Sequence, residues 1–155
     1  MKPFFNSLLL CAAPLFASAC ALQGAPFERA SVPPADAVIY VYRPYNYGGS
    51  ALRPPVTCAD ETARIGPGGY HAFIVPAEKT TCTIQSSETA DQVEIDPAPR
   101  VHYLREVIGW GILTGHPRLD PIDGDQAQAE IQKCCVLEPE DVDTPASPTP
   151  SARPK

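Results

Sequence analysis

Short β-rich segments separated by proline and glycine are the feature that most limits what this chain can fold into. Turn residues such as Pro67-Gly68-Gly69 and Pro76-Ala77 stand between them. Strands that recur about every ten residues with such turns predict a mainly β fold, a small antiparallel sandwich or a partly closed barrel. The predicted strands are 37–42, 56–58, 63–65, 70–75, 80–84, 93–96 and 101–107.

One segment near the C-terminus has helical character instead. Asp123 or Asp125 can cap its first turn, because an aspartate oxygen accepts a hydrogen bond from the free backbone N–H groups there. Ala127, Ala129 and Ile131 then extend the helix towards Lys133. The sequence therefore predicts a mainly β domain with one short C-terminal helix.

The N-terminus has the order of a secretory signal, which is a positive start, an apolar run and small residues. Lys2 supplies the charge, residues 4–16 are mostly apolar, and Ala17-Ser18-Ala19 directly precedes Cys20. We expect residues 1–19 to be a lipoprotein signal peptide that is cut between Ala19 and Cys20, with a diacylglycerol on the Cys20 thiol. A plain secretory cut is the alternative, since Ala17 and Ala19 also fit its small-residue rule.

The apolar run at the N-terminus is too short and too interrupted to span a bilayer, which takes about 20 apolar residues. A diacylglycerol with a further acyl chain gives the two signals that stable membrane attachment requires. Ala21 follows the cysteine where an Asp would favour retention at the inner membrane. The expected location is the cell envelope, with the outer membrane favoured and the domain on the periplasmic face.

The chain divides by composition into four parts. Residues 20–36 contain Pro26, Pro33 and Pro34 without a clear period and are predicted to be a tether. Residues 37–137 form the predicted sandwich domain. Residues 138–155 alternate proline with serine, threonine, alanine and acidic residues, and such a segment buries too little apolar surface to fold. We expect this tail to be disordered.

Four cysteines remain in the predicted mature domain besides Cys20, which is an even number in an exported chain and indicates disulfides. Cys58 and Cys82 each lie in a predicted strand and can face each other across a sheet. Cys134 and Cys135 are neighbours, and a bond between neighbours constrains the peptide that joins them. Cys58–Cys82 is the favoured pairing, and cross-pairing with Cys134 and Cys135 is the alternative.

Residues for catalysis or cofactor binding are not arranged in any motif. His71 and His102 lie in predicted strands and raise a metal hypothesis, but solvent-facing strand histidines are the favoured interpretation, so we expect no metal and no cofactor. The sequence has no nucleophile elbow and no phosphate-binding loop, which disfavours an enzyme. The formal net charge of −6 disfavours nucleic-acid binding.

Two glycine-flanked aromatic loops are the segments that most resemble a binding site. The first holds the only tryptophan, Trp110, followed by His116, and the second holds Tyr45 and Tyr47 after the opening strand. Aromatic side chains on loops often contact sugars or partner proteins. The alternatives are that Trp110 plugs the end of the sandwich and that the tyrosines flank a hairpin. Arg43 is interpreted as a surface ion-pair residue.

The order of these segments resembles domain of unknown function 2846, a family of bacterial lipoproteins. The matching residues are Ile39–Pro44 at the opening strand, Gly68–Tyr70, the turn Pro76–Lys79, Tyr103–Arg105 and Glu130 in the helix. The resemblance covers residues 37–137 and implies an exported, lipid-anchored β-sandwich of the transthyretin or PEGA type. It implies no catalytic or binding residues.

The sequence thus favours a lipid-anchored protein of the cell envelope with a non-enzymatic binding or assembly role. Its expected partners are the membrane, reached through Cys20, and an envelope protein. The alternative is a glycan- or peptidoglycan-binding module in which Tyr45, Tyr47 and Trp110 stack on sugar rings.

Overall fold

The computed structural model describes residues 24–46, 48–96, 98–112 and 115–139. These residues contain nine strands and one helix, joined by turns and loops. The predicted fold class is confirmed: the structure is mainly β, with two sheets and one short C-terminal helix. The elements are β1 Asp36–Arg43, β2 Pro55–Cys58, β3 Glu61–Arg64, β4 Gly69–Pro76, β5 Thr80–Gln85, β6 Ala90–Ile95, β7 Val101–Gly109, β8 His116–Pro121, α1 Gly124–Cys134 and β9 Val136–Leu137.

The strands form a five-stranded sheet in the order β8-β7-β1-β4-β9 and a four-stranded sheet in the order β3-β2-β5-β6. Most neighbours run antiparallel, as predicted for the sandwich, but β1 pairs with β7 and β4 with β9 in parallel. All seven predicted strands are present within a few residues of their expected bounds. The sequence analysis missed β8 and β9.

Strand β1 lies at the centre of the larger sheet, and every one of its residues from Ala37 to Arg43 is buried. Its alternate side chains point to the two faces of the sheet, because successive residues of a strand face opposite sides. Ile39 and Val41 face the smaller sheet and pack with Phe73 and Ile84 between the two sheets. Burial on both faces explains why this strand reads as an almost continuous apolar run.

The other face of the larger sheet is covered by α1 and by the segment that precedes β1. Tyr40 stacks on Tyr103, and the buried Ile131 of α1 belongs to the same apolar cluster. Phe27 contacts the rings of Tyr40 and Tyr70 edge to face. The described part of the predicted tether, residues 24–36, is therefore packed against the domain and forms part of this outer layer.

Helix α1 begins where the sequence predicts, because Asp123 is its N-cap. The Asp123 carboxylate accepts hydrogen bonds from the backbone N–H groups of Asp125 and Gln126, at 3.0 and 3.4 Å. Glu130 then fastens the helix to β1, since its carboxylate accepts a hydrogen bond of 2.7 Å from the Tyr42 hydroxyl. This bond is the first cause of the lowered pKa of Glu130.

Both disulfides join residues close to an end of the sandwich. Cys58 and Cys82 face each other across the β2–β5 pair, which confirms the favoured pairing. Cys134 and Cys135 are bonded to each other at the end of α1, so the cross-pairing alternative is wrong. The Cys135 sulfur also lies 3.8 Å from the carbonyl oxygen of Arg43, at the last residue of β1.

The two ends of the sandwich differ in the length of their connections. One end is formed by the described residues of 44–54, 65–68, 86–89 and 110–115, which connect successive strands. We call it the loop end. The opposite end includes the short turns at 59–60 and 77–79 and the described residues of 96–100. The strand pairings place β1, β3, β5 and β7 with their C-terminal residues at the loop end.

Candidate functional site

The loop end brings the two predicted aromatic loops together. Strands β1 and β7 are parallel neighbours, so the loops that follow them leave the sheet side by side. Gly49 in the first loop has a φ of +75°, and a Cβ there would come within 2.7 Å of the Ile108 side chain. Both observations require glycine at this position. Close contact with Ile108 therefore fixes the first loop against the end of β7, directly before the second loop.

A cleft of about 340 Å³ lies between these two loops. A second cleft of about 420 Å³ adjoins it and shares Leu52, Ile108 and Gly115. Its wall is extended by Arg53 and Arg64. The loop end therefore offers a mostly apolar concave surface with basic side chains at its margin. The residues that line the first cleft are Asn46, Gly48, Gly49, Leu52, Ile108, Gly109, Trp110, Gly111 and Gly115.

Trp110 projects from the loop end into solvent, with 95 % of its surface exposed. The hypothesis that it plugs the end of the sandwich is therefore wrong. Ile112 is exposed to the same degree, and Tyr45 in the neighbouring loop is 63 % exposed. Three large apolar side chains thus stand at one end of the molecule. The other predicted contact tyrosine, Tyr47, lies outside the described residues.

His116 lies at the same end as the first residue of β8. Its side chain is half exposed, and its Nε2 lies 3.5 Å from a carboxylate oxygen of Glu88 in the 86–89 loop. The structure therefore places three of the four predicted contact residues, Tyr45, Trp110 and His116, at the loop end. Ile112 was missed, although its position between Gly111 and Thr114 in a glycine-rich loop is a signal for exposure.

A buried ion pair lies beneath these loops. Arg43 is only 3 % exposed, and its guanidinium lies 3.2 Å from the carboxylate of Glu106. The same guanidinium donates hydrogen bonds to the carbonyl oxygens of Gly49, Leu52 and Ile65. The interpretation of Arg43 as a surface residue is therefore wrong. Its period-two position after Ile39 and Val41 already indicated the interior face.

Glu106 is the more strongly perturbed member of this pair. Its side chain is fully buried, and its second oxygen, Oε2, has no hydrogen-bond partner among the described residues. The pKa of Glu106 is raised to about 8, chiefly by burial and secondarily by the nearby Glu138, although Arg43 and Arg53 act to lower it. Burial also lowers the pKa of Arg43. Burial thus opposes the ionisation of both members of the pair.

Glu138 directly follows β9 and packs beneath the loop end, against Gly66. It is 5 % exposed, it accepts a hydrogen bond of 2.9 Å from the backbone N–H of Gly66, and it pairs with Arg53. Its backbone N–H donates to the carbonyl of Tyr70. Glu138 therefore belongs to the folded domain, although the predicted tail was expected to begin at this residue. The rest of the predicted tail, residues 140–155, lies outside the described residues.

The histidines that raised the metal hypothesis lie in separate strands. His71 is in β4 and His102 in β7, and β1 lies between them. The His71 ring lies 2.7 Å from a carboxylate oxygen of Glu61. Burial lowers the pKa of His102. Across the part of the chain that the structure describes, no three His, Cys, Asp or Glu side chains could hold a metal ion together.

The predicted signal and lipid site lie before the first described residue, Gly24. Residues 1–19, the cleavage site at Ala19 and the lipid-bearing Cys20 are therefore outside the described residues. Within residues 24–139, as far as they are described, the single helix falls short of the length and hydropathy that a membrane crossing needs.

Comparison with known proteins gives no further information on function. No protein-family model matches the chain, and no match was found among curated proteins or solved structures. The function of the protein is therefore inferred from the sequence and from the geometry of the loop end.

Proposed function

We propose that this chain is a lipid-anchored protein of the cell envelope that acts as a non-enzymatic binding or assembly module, with the loop end as its contact surface. The anchor is the diacylglycerol expected on Cys20, and the outer membrane is the favoured site. The proposal includes a relationship to domain of unknown function 2846, on the segments that resemble that family.

One observation carries the proposal of a contact surface. Trp110, Ile112 and Tyr45 expose large apolar surfaces at a single end of the molecule, next to glycine-rich loops. Water disfavours such clusters, and aromatic side chains are enriched where proteins contact partners. The Arg43–Glu106 pair holds the first of these loops through the carbonyl oxygens of Gly49 and Leu52. Because this loop is already held in place, its ordering on binding a partner costs little conformational entropy.

A glycan-binding module is the second candidate. The exposed ring of Trp110 lies beside a cleft of about 340 Å³ that Asn46 also lines. An aromatic face with a neighbouring amide can stack on a sugar ring and bind its hydroxyl groups. Peptidoglycan is the polysaccharide that a protein on the periplasmic face would meet.

The anchor is tested by the intact mass of protein extracted from membranes. We expect the chain to begin at Cys20 and to carry the added mass of its acyl chains, and we expect a Cys20→Ser variant to lose its firm association with membranes. Wild-type protein that is free in the periplasm without acyl mass would rule out the anchor.

The contact surface is tested by capture from solubilised envelopes and by sedimentation with purified cell-wall sacculi. Trp110→Ala should abolish the specific contact, whereas Ile74→Ser should not, because Ile74 is partly exposed on β4 outside the loop end. Wild-type sedimentation with sacculi that Trp110→Ala abolishes would favour the glycan candidate. Equal behaviour of wild type and Trp110→Ala in both assays would exclude an envelope protein and peptidoglycan as partners of the loop end.

A further inference from the structure

The first described residues of the chain lie at the loop end. The carbonyl oxygen of Ala25 accepts a hydrogen bond of 2.8 Å from Leu137, and Pro26 pairs with Val136. Val136 in turn pairs with Gly69, the residue of β4 that lies opposite Arg43. The chain therefore enters the domain at the loop end, beside β9 at the edge of the larger sheet, and it then runs along the outer face of that sheet towards the opposite end.

This entry point limits how far the domain can stand from a lipid on Cys20. Three residues lie between Cys20 and Gly24, so four residue-to-residue steps join them, and an extended chain of that length spans at most about 14 Å. This distance is about half the thickness of the hydrocarbon core of a bilayer, which is about 30 Å. A lipid on Cys20 would therefore hold the loop end close to the membrane surface.

The side chains at the loop end suit a membrane interface. Trp110 and Ile112 are each 95 % exposed and are separated only by Gly111. Tryptophan is enriched at the level of the lipid headgroups, because its ring is apolar while its indole N–H can still donate a hydrogen bond. An isoleucine beside it adds apolar area that favours the acyl region.

The exposed charges are distributed in the direction that a membrane surface requires. Arg53 and Arg64 line the margin of the loop end, and an anionic membrane surface attracts arginine side chains. Two acidic residues also lie there, and each is paired: Glu138 with Arg53 and Glu88 with His116. The acidic excess of the chain, which by itself disfavours adhesion to anionic headgroups, includes a group at the other end of the sandwich. Exposed acidic residues there include Asp60, Glu61, Glu78, Glu94 and Asp96, beside Lys79 and Arg100.

We infer that the loop end rests on the same bilayer that holds the lipid, with Trp110 and Ile112 inserted at the boundary between headgroups and acyl chains. This inference depends on the lipid attachment at Cys20 that we propose above, and it names a lipid surface as the occupant of the contact surface. The opposite end, with its acidic turns, then faces away from the membrane. The covalent lipid on Cys20, the inserted side chains of Trp110 and Ile112, and the arginines at the margin would together fix the orientation of the domain.

The single tryptophan makes this arrangement directly measurable, because all tryptophan emission comes from Trp110. Purified, lipidated wild-type protein is reconstituted into vesicles of phosphatidylethanolamine and phosphatidylglycerol, with and without lipids brominated near the top of the acyl chains. We expect the emission maximum of Trp110 to lie at a shorter wavelength than that of a tryptophan-containing peptide dissolved in buffer. We also expect brominated lipid to remove most of the emission and acrylamide to quench it weakly.

A matched control moves the tryptophan to the other end of the molecule. In the double variant Trp110→Phe/Lys79→Trp the probe occupies the turn between β4 and β5, where the Lys79 side chain is well exposed. This probe should keep a solvent-exposed emission, should resist brominated lipid and should be quenched readily by acrylamide. Quenching of both probes by brominated lipid would contradict the proposed orientation.

The remaining outcomes separate this inference from the proposed function. Acylated protein whose Trp110 stays accessible to acrylamide and unaffected by brominated lipid overturns the inference and leaves the anchor intact. A shift of Trp110 emission by lipid-free sacculi, or Trp110-dependent capture of an envelope protein, assigns the loop end to another occupant and also overturns it. A mass without acyl chains removes the anchor, and the proposed function then fails together with the inference.

Discussion

The two ends of the sandwich are built on opposite principles. The loop end has long connections with exposed Trp110 and Ile112 at the surface and the buried Arg43–Glu106 pair beneath them. The opposite end has short turns, and its Lys79–Glu94 pair lies in solvent at 2.8 Å. The loop end thus exposes large apolar side chains above a buried ion pair, whereas the opposite end exposes an ion pair to solvent.

This difference supports the proposal that the loop end is the contact surface. An exposed tryptophan contributes little to folding, and a buried ion pair is a weak source of stability because desolvation opposes its attraction. The loop end has both features. There the guanidinium of Arg43 donates hydrogen bonds to three loop carbonyl oxygens. The buried arginine therefore positions the loop that carries Tyr45, and Gly49 of that loop packs on Ile108 near the start of the loop that carries Trp110. The following four predictions test this contrast.

Loss of Arg43 should have the largest effect. Arg43→Met removes the partner of a buried carboxyl and the donor to three loop carbonyls, so we expect the free energy of unfolding to fall by about 3–5 kcal/mol. Urea unfolding with intact disulfides measures it. Lys79→Met is the matched change at the opposite end, and it should leave the urea midpoint unchanged because its ion pair is exposed. Similar losses in the two variants would contradict the contrast between the ends.

Loss of the two disulfides should have unequal effects. Cys58 and Cys82 are 24 positions apart, so their bond restricts the unfolded chain, and the double variant Cys58→Ala/Cys82→Ala should lose about 3 kcal/mol. Cys134 and Cys135 are adjacent, so their bond closes almost no chain, and Cys134→Ala/Cys135→Ala should lose much less. Thermal unfolding of the two variants under identical conditions ranks them. The reverse order would show that the bond beside Arg43 does more than join neighbours.

Glu106 should make the stability depend on pH in an unusual direction. Its pKa rises from 4.5 to about 8 on folding, so the folded protein binds the proton more tightly than the unfolded chain does. Its stabilising contribution is complete below pH 4.5 and is lost as the pH rises to about 8, by roughly 1 kcal/mol per pH unit within that range.

The variant Glu106→Gln isolates this contribution, because glutamine does not titrate. The difference in unfolding free energy between wild type and variant should change steadily across this range of pH. Glu94→Gln, at the opposite end, should follow the wild-type profile, since Glu94 is exposed. A constant difference between wild type and Glu106→Gln would show that the carboxyl is already ionised in the folded protein.

Trp110→Ala should have the smallest effect on folding. Its side chain is almost wholly exposed, so we expect the free energy of unfolding to change by less than about 0.5 kcal/mol. The same variant should lose the contact made by the loop end. Clear destabilisation in urea would mean that Trp110 packs against the domain, and the loop end would then resemble an ordinary core.

Several parts of the fold could be predicted because their signals are local. Strand β1 is a β-branched and aromatic run, and Asp123 caps α1 through its own side chain. Strand β8 was missed because Pro117 and Pro121 obscure it, although proline is tolerated on an edge strand, and β8 is one. The available sequence signal was the alternation of Pro117 and Leu119 with the polar residues His116, Arg118 and Asp120.

The partners of the candidate site could not be predicted in the same way. Glu106 lies 63 positions from Arg43 and Glu138 lies 85 positions from Arg53, and no local pattern indicates such pairs. The meeting of the two aromatic loops likewise depends on the parallel pairing of β1 with β7. Local propensity carries no information about which distant strands become neighbours.

By itself the sequence determined where seven of the nine strands and the helix lie and which loops carry aromatic residues, and it favoured the cysteine pair that spans the smaller sheet. These properties follow from side-chain periodicity and from turn and cap chemistry, which act over a few residues. Only the tertiary structure decided that Arg43 pairs with Glu106, that Trp110 is exposed, and that the chain enters at the loop end. Burial and orientation depend on contacts between residues that are far apart in the chain, and those contacts exist only once the two sheets have packed.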